Sequence, residues 1–152
     1  MHTDWLIVAN ASNARIFLIQ KEIGKPRQLI LLQNIEHPAS RLHNRELATD
    51  KAGVYRTNKV TGGGHSQDYD PKSIEMNKFA KEVAQIIDHA RTLNRFNRLF
   101  ITSSPHFYGL LEKNMTGSIK DLIKKVVLKD YTCVIPRDLQ RLLFSNNVKV
   151  PS

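Results

Sequence analysis

Apolar positions along this chain follow two different rhythms. Short apolar runs come first: Leu6-Ile7-Val8-Ala9, then Ala14-Arg15-Ile16-Phe17-Leu18-Ile19, then Gln28-Leu29-Ile30-Leu31-Leu32-Gln33. Runs of this length between turn formers predict strands. The separators, Asn10-Ala11-Ser12-Asn13 and Ile23-Gly24-Lys25-Pro26, are rich in turn-forming residues. Three strands so closely spaced predict an antiparallel meander. The rhythm changes at Asp70. Met76, Phe79, Ala80, Val83, Ile86, Ile87 and Ala90 recur at helical spacing and make one apolar stripe. A helix is expected from Pro71 to about Leu93, with Asp70 as its cap and Pro71 at its first position. Lys78, Lys81 and Arg91, with Glu82 and Asp88, lie off the stripe as a solvated face.

Beyond that helix the alternation continues. Arg98-Leu99-Phe100-Ile101-Thr102 reads as a strand, and Ser103-Ser104-Pro105 ends it and opens a helix to about Leu111. A strand feeding a turn and then a helix is the α/β arrangement in which strand ends host sites. The two serines are expected to cap, because the Gly-x-Ser-x-Gly elbow of a nucleophile is absent. Ser12, with Asp4 as a partner, lacks that context too. Thr116 to Leu122 fits either loop or helix. Ile123-Lys124-Lys125-Val126-Val127-Leu128 reads as a strand, and Arg137 to Phe144, entered through Pro136, as the last helix. The polar tail from Asn146 is expected to fray. No repeat or linker divides the chain, so residues 1–152 form one α/β domain: a mixed β-sheet flanked by helices.

Residues 37–70 stand apart as a long polar loop inserted between the third strand and the long helix. Its tip is Thr61-Gly62-Gly63-Gly64-His65-Ser66-Gln67. Three consecutive glycines contribute nothing to packing and suit close backbone approach to a partner. They form no Walker loop, since no Gly-Lys-Ser/Thr follows, and no strand leads directly into them as a dinucleotide fingerprint would need. Their N–H groups can still cradle a phosphate. Arg41, Arg45, Arg56 and Lys59 lie in the same loop, where they can follow a phosphate backbone. Tyr55 and Tyr69 can stack on bases.

Charge sharpens this reading. There are 23 Lys and Arg against 14 Asp and Glu, a net charge of +9, which favours anionic partners such as nucleic acid. RNA-recognition, KH and zinc-finger signatures are absent. The single cysteine, Cys133, excludes an internal disulfide and a Cys-based zinc site, and is expected to be a small buried hydrophobe. His65 with Asp68 and Asp70 offers an imidazole beside carboxylates, but no rigid third ligand, so no metal or other cofactor is expected. His37 and His43 join such a set only if the loop folds back. His89 is expected on the long helix's surface, and His106 at a helix start. No apolar run is long enough to span a membrane, and no basic stretch precedes the first apolar run as in a signal peptide. A cytoplasmic location is expected.

In order and spacing, several pieces together resemble the bacterial host attachment protein family. They are Val8-Ala9-Asn10-Ala11-Ser12-Asn13-Ala14-Arg15-Ile16-Phe17, His37-Pro38, Arg45 to Gly53, Phe79 to Ala84, Ile101 to Leu111 and Leu128-Lys129-Asp130-Tyr131-Thr132. That family looks related to the middle domain of archaeal and eukaryotic peptide-chain release factors. The resemblance implies a ribonuclease-H-like sheet and a role near RNA or the ribosome. In those factors a Gly-Gly-Gln loop promotes peptidyl-tRNA hydrolysis. Here His65 stands where the glutamine would be, and Gln67 follows two positions later. A ribonuclease-H-like nuclease also needs clustered carboxylates for magnesium. Asp4 precedes the first strand, and Asp130 follows a later one without evident partners.

The expected function is therefore an RNA- or ribosome-associated binding module, with Arg41, Arg45, Arg56, Lys59, Gly62, Gly63 and Gly64 as its phosphate contacts. One alternative is a hydrolase of peptidyl-tRNA or another ester or phosphodiester, using His65 and Gln67. Another is a non-catalytic protein-interaction domain. Whether the chain is an enzyme, and whether it is a monomer or a homodimer, the residues leave open.

Overall fold

The structure is a computed structural model that describes residues 2–37 and 70–144. Nine elements follow one another: β1 (Asp4–Ala9), β2 (Asn13–Gln20), β3 (Gln28–Glu36), α1 (Pro71–Thr92), β4 (Arg98–Ser103), α2 (Pro105–Asn114), α3 (Gly117–Lys120), β5 (Ile123–Val127) and α4 (Pro136–Phe144). The five strands form one mixed sheet in the order β3-β2-β1-β4-β5. The expected meander is present, with β1 against β2 and β2 against β3 both antiparallel. β4 then joins β1 in parallel, and β5 joins β4 in parallel. The parallel pairing follows from the crossover through α1, since a parallel neighbour needs a connection long enough to return to the starting edge.

Being central, β1 is buried at all six positions, which is why Trp5 to Ala9 is continuously apolar rather than alternating. Trp5, Ile7 and Ala9 face a core shared with α1 and α2 through Phe79, Val83, Ile87, Phe107 and Leu111. Leu6 and Val8 face the other side, where Phe17, Ile19, Leu29 and Leu139 of α4 gather. In β3 a register irregularity opposite Ile16 and Phe17 skips Leu32. The extra residue reverses the alternation, so Leu29 and Ile35 serve opposite cores.

α1 begins and ends as its sequence requires. The Asp70 carboxylate accepts from Lys72 N at 3.3 Å, and Pro71 occupies the first turn. At the far end Asn94 takes φ 56°, and Arg95 N donates to Ala90 O at 3.0 Å, a left-handed stop. The segment that fits either loop or helix resolves into α3, capped by Thr116.

The amino edge of the sheet is locked by an ion cluster. Asp4, only 2% exposed, lies within β1. Arg98 grips it twice, Nε to Oδ1 at 2.8 Å and Nη2 to Oδ2 at 2.9 Å, and Lys21 Nζ adds 2.8 Å to Oδ2. Burial works against its charge, but the hydrogen bonds from Arg98 and Lys21 outweigh burial and hold the carboxyl below its ordinary range.

Two expectations change. Cys133 is exposed, not buried: β5 has ended at Val127, so Tyr131 to Ile135 is a surface crossing in which alternate side chains face water. Asp4, expected before the first strand, opens β1 instead, and it does not meet Ser12, which lies three residues past the strand's far end at Ala9, roughly 20 Å of extended chain away.

Candidate functional site

The carboxyl ends of β1, β4 and β5 lie on one edge because those strands are parallel. β3 also ends there, since two antiparallel pairings restore its direction. In open α/β sheets this edge is where ligands bind. Polar residues accumulate on it: Asn10, Ser12 and Asn13 after β1, His37 after β3, Ser103, Ser104 and His106 after β4, and Asp130 and Thr132 after β5.

Asn10 organises the edge. Its side-chain oxygen accepts from Ser12 N at 2.8 Å and Asn13 N at 2.9 Å, which fixes the β1–β2 turn. Its Nδ2 donates to Asp130 Oδ2 at 2.9 Å and Thr132 Oγ1 at 3.0 Å. Thr132 in turn donates to Asp130 Oδ1, from Oγ1 at 2.6 Å and from N at 3.0 Å. Burial opposes the Asp130 charge, but Thr132 and Asn10 together lower its pKa. Asp130 therefore does have partners: Thr132, two residues on, and Asn10, which only the folded topology reveals. Arg15 pins the same crossing from beneath. Its Nη2 donates to Tyr131 O and Val134 O, both at 2.9 Å, while its guanidinium lies 5.3 Å from the Phe17 ring centroid. Burial lowers the Arg15 pKa.

His37 sits beside this network. Its N–H donates to Ser12 O at 3.0 Å. The residue is 5% exposed, and its ring stacks on Phe79 of α1 with centroids 4.8 Å apart and planes 16° apart. Phe79 in turn lies 5.7 Å from Phe107 of α2. Among the described residues His37 Nε2 has no hydrogen-bond partner. Stacking fixes this histidine in the core, where sequence offered it only as a conditional metal ligand. The signal was available: an imidazole directly after a strand can stack on Phe79, the aromatic residue in the apolar stripe of the following helix.

Of the two serines at the end of β4, one takes the expected cap position but neither caps through its side chain. Ser104 holds the N-cap position of α2 without a side-chain cap hydrogen bond. The Ser103 hydroxyl donates to Ser104 O at 2.9 Å instead. Ser104 N reaches back to Ala9 O at 3.3 Å, stitching β4 to β1 at this edge. His106 and His89 are both exposed, as expected.

The chain leaves the edge after His37 and re-enters the described structure at Asp70. Phe79, against His37, lies eight residues into α1 from Pro71, about 12 Å along the helix axis from its start. Arg41, Arg45, Arg56, Lys59, Gly62, Gly63, Gly64, His65 and Gln67 all lie outside the described residues. So do His43, Tyr55, Asp68, Tyr69 and the tail from Asn146. Among the described residues no group of three or more His, Cys, Asp or Glu side chains is placed to hold a metal ion. No helix among them is long and apolar enough to cross a membrane.

Two solved structures bear a distant likeness. A phosphatase of the Ppx/GppA type from Aquifex aeolicus, a type II variant, aligns with a TM-score of 0.39 at 16% identity, over 84% of this chain and 36% of that one. A further Aquifex aeolicus PPX-GPPA structure aligns at 0.35 and 14% identity, over 83% and 36%. The chain thus spans about a third of their length, and neither likeness assigns an activity. No curated protein matches the sequence. A family model does match, over residues 5–143, from the second residue of β1 to the last turn of α4. The chain belongs to the family described as "Protein required for attachment to host cells".

Proposed function

We propose that this protein binds a phosphate-bearing polymer, RNA or the ribosome, across the carboxyl edge of its sheet. The observation that carries the reading is topological. Four strands end on one polar edge, and residues 38–69, with Arg41, Arg45, Arg56 and Lys59, are joined to that edge at His37. Lys and Arg at such a place supply affinity by releasing counterions from phosphates, and the net charge of +9 favours the same partner. The strand order, three antiparallel strands followed by two parallel ones, is the arrangement on which the finer ribonuclease-H-like reading rests; the link to release-factor middle domains rests on the sequence resemblance alone. The expected location is the cytoplasm.

The test is co-sedimentation with ribosomes and separated subunits across a salt series. The comparison is a variant in which Arg41, Arg45, Arg56 and Lys59 are all alanine. Four lost phosphate contacts would flatten the log–log salt slope by about 3 for single-stranded RNA. Absence of binding at low salt defeats the reading.

A second reading, hydrolysis of an ester or phosphodiester, draws support from His37. A buried imidazole nitrogen without a partner among the described residues, beside a strand-end turn, is a group a substrate can complete. Turnover of peptidyl-tRNA or of bis-p-nitrophenyl phosphate that vanishes in His37→Gln, with ribosome binding kept, would favour it. Turnover lost only in His65→Ala would move the base to the glycine segment.

A further inference from the structure

A second site lies on the sheet face covered by α4. A cavity of about 130 Å³ is lined by Leu6, Phe100, Thr102, Val127, Leu143 and Phe144, with Arg27 and Lys125 at its polar margin. Leu6, Phe100 and Thr102 share a sheet face because β1 and β4 are parallel and in register, Leu6 opposite Phe100. α4 roofs that face through Leu139 and its last turn. The volume is close to the roughly 150 Å³ of a cavity that takes up one benzene ring.

Two features distinguish it from a packing gap. Thr102 is 1% exposed, and its Oγ1 has no hydrogen-bond partner among the described residues, whereas buried hydroxyls are nearly always satisfied. Arg27 and Lys125 have no carboxylate within ion-pair distance among the described residues; the guanidinium of Arg27 rests 5.3 Å from the Phe144 ring centroid. Arg27 beside Phe144 also complements the carbonyl end of α4. That end carries only about half a negative charge, so two full cations leave the margin positive.

We infer that this cavity binds a small amphiphilic anion, one ring in size. Its hydrocarbon body would fill the space between Phe100, Val127, Leu143 and Phe144, and its carboxylate would meet Lys125 and Arg27. Thr102 Oγ1 is the one polar group on the floor, where it can donate to a ligand oxygen. The site lies on the sheet face under α4, reaches the ends of β4 and β5 at Thr102 and Val127, and needs none of residues 38–69.

The experiment titrates the full-length protein, uniformly labelled with nitrogen-15, with benzoate and separately with neutral benzamide, following amide shifts. Benzoate is expected to saturate, with shifts clustered at Leu6, Thr102, Lys125 and Val127, and benzamide to bind at least tenfold more weakly. Lys125→Met should weaken benzoate about tenfold and leave benzamide unchanged. Val127→Phe, which fills the cavity, should abolish both; if it unfolds, the Lys125→Met comparison still decides. Equal binding of benzoate and benzamide, or shifts scattered away from these residues, overturns the proposal, as does no saturation in the millimolar range.

Discussion

Replacing Asn10 by alanine tests whether one side chain holds the carboxyl edge together. Four hydrogen bonds of 2.8 to 3.0 Å would be lost, one of them to a carboxylate. Neutral bonds contribute about 1 kcal/mol net and a bond to a charged group about 2, so simple addition gives about 5 kcal/mol. The site is only half-buried, however, and water can reach the groups left behind. The expected loss is about 2 kcal/mol, or a fall of about 4–8 °C in melting temperature for a chain of this size. Asn10→Asp sharpens the test. It keeps both acceptor contacts but replaces a donor 2.9 Å from Asp130 Oδ2 with a second carboxylate. At pH 7 it should fall below Asn10→Ala. The sign with pH follows from Asp130. Its folded pKa is lowered, so its contribution is present above the unfolded value of about 3.9 and lost as pH falls through the lower folded value. Without Asn10 that lowering shrinks, and the acid limb becomes shallower. In Asn10→Asp one carboxylate is pushed up by the other, so this variant should recover relative to the wild type in acid. Urea unfolding from pH 3 to 8 measures all three proteins. An Asn10→Ala protein within 0.5 kcal/mol of wild type at pH 7 would refute the reasoning.

Other perturbations have equally definite outcomes. Asp4→Asn strands Arg98 and Lys21 at the amino edge. Both are about one-third exposed and can rehydrate, so the cost should be about 2 kcal/mol rather than the 3–5 of a fully buried pair. Because the Asp4 pKa is lowered, that difference should be complete at pH 7 and vanish below the folded pKa, as urea midpoints will show. Phe79→Ala removes the ring between His37 and Phe107 and should cost about 3–5 kcal/mol. Phe79→Leu, which keeps most of the burial, should cost about 1–2 kcal/mol, and the His37 ring-proton shifts should lose their ring-current displacement in NMR spectra. Cys133, being exposed, should react stoichiometrically with a thiol-disulfide reagent in native protein, without denaturant.

Elements were legible where local pattern and topology agree. The meander, the stripe of α1 and its Asp70-Pro71 start follow from spacing and capping chemistry alone, and the sheet confirms them. Cys133 misled because its neighbours Tyr131, Val134 and Ile135 look strand-like, while the crossing they form is held by Arg15 and Asn10 from distant parts of the chain. Sequence reasoning missed Asn10 as a partner of Asp130 for the same reason, since it is 120 residues away, whereas Thr132, two residues on, was a local turn signal left unread. His37 was undervalued because a histidine's fate depends on what the next helix places against it. Here that is Phe79, 42 positions later by the numbering. The bulge in β3 left no signal, since Leu29-Ile30-Leu31-Leu32 is apolar on both registers.

The motif pieces that carry the family resemblance bond to one another in the folded chain. Asn10 and Arg15 come from one piece, and Asp130, Tyr131 and Thr132 from another; these are the partners in the contacts at the carboxyl edge. His37 stacks on Phe79, again one piece on another. Such residues are spent on building the edge, so their presence identifies the scaffold more directly than it identifies a reaction. A group already saturated by fold contacts has little capacity left for a ligand, and Asn10, with two donated and two accepted bonds, is of that kind. His37 Nε2 differs: it is held at the same edge, buried, and has no partner among the described residues. If the edge binds phosphate or carries out chemistry, His37→Gln should alter that function well beyond a stability loss of about 1–2 kcal/mol, because glutamine keeps the backbone contact to Ser12 and loses mainly the stacking. Asn10→Ala should do the reverse at the level of cause, lowering function only in proportion to lost stability. A His37→Gln protein with unchanged RNA binding and no lost turnover would make this histidine a core residue alone.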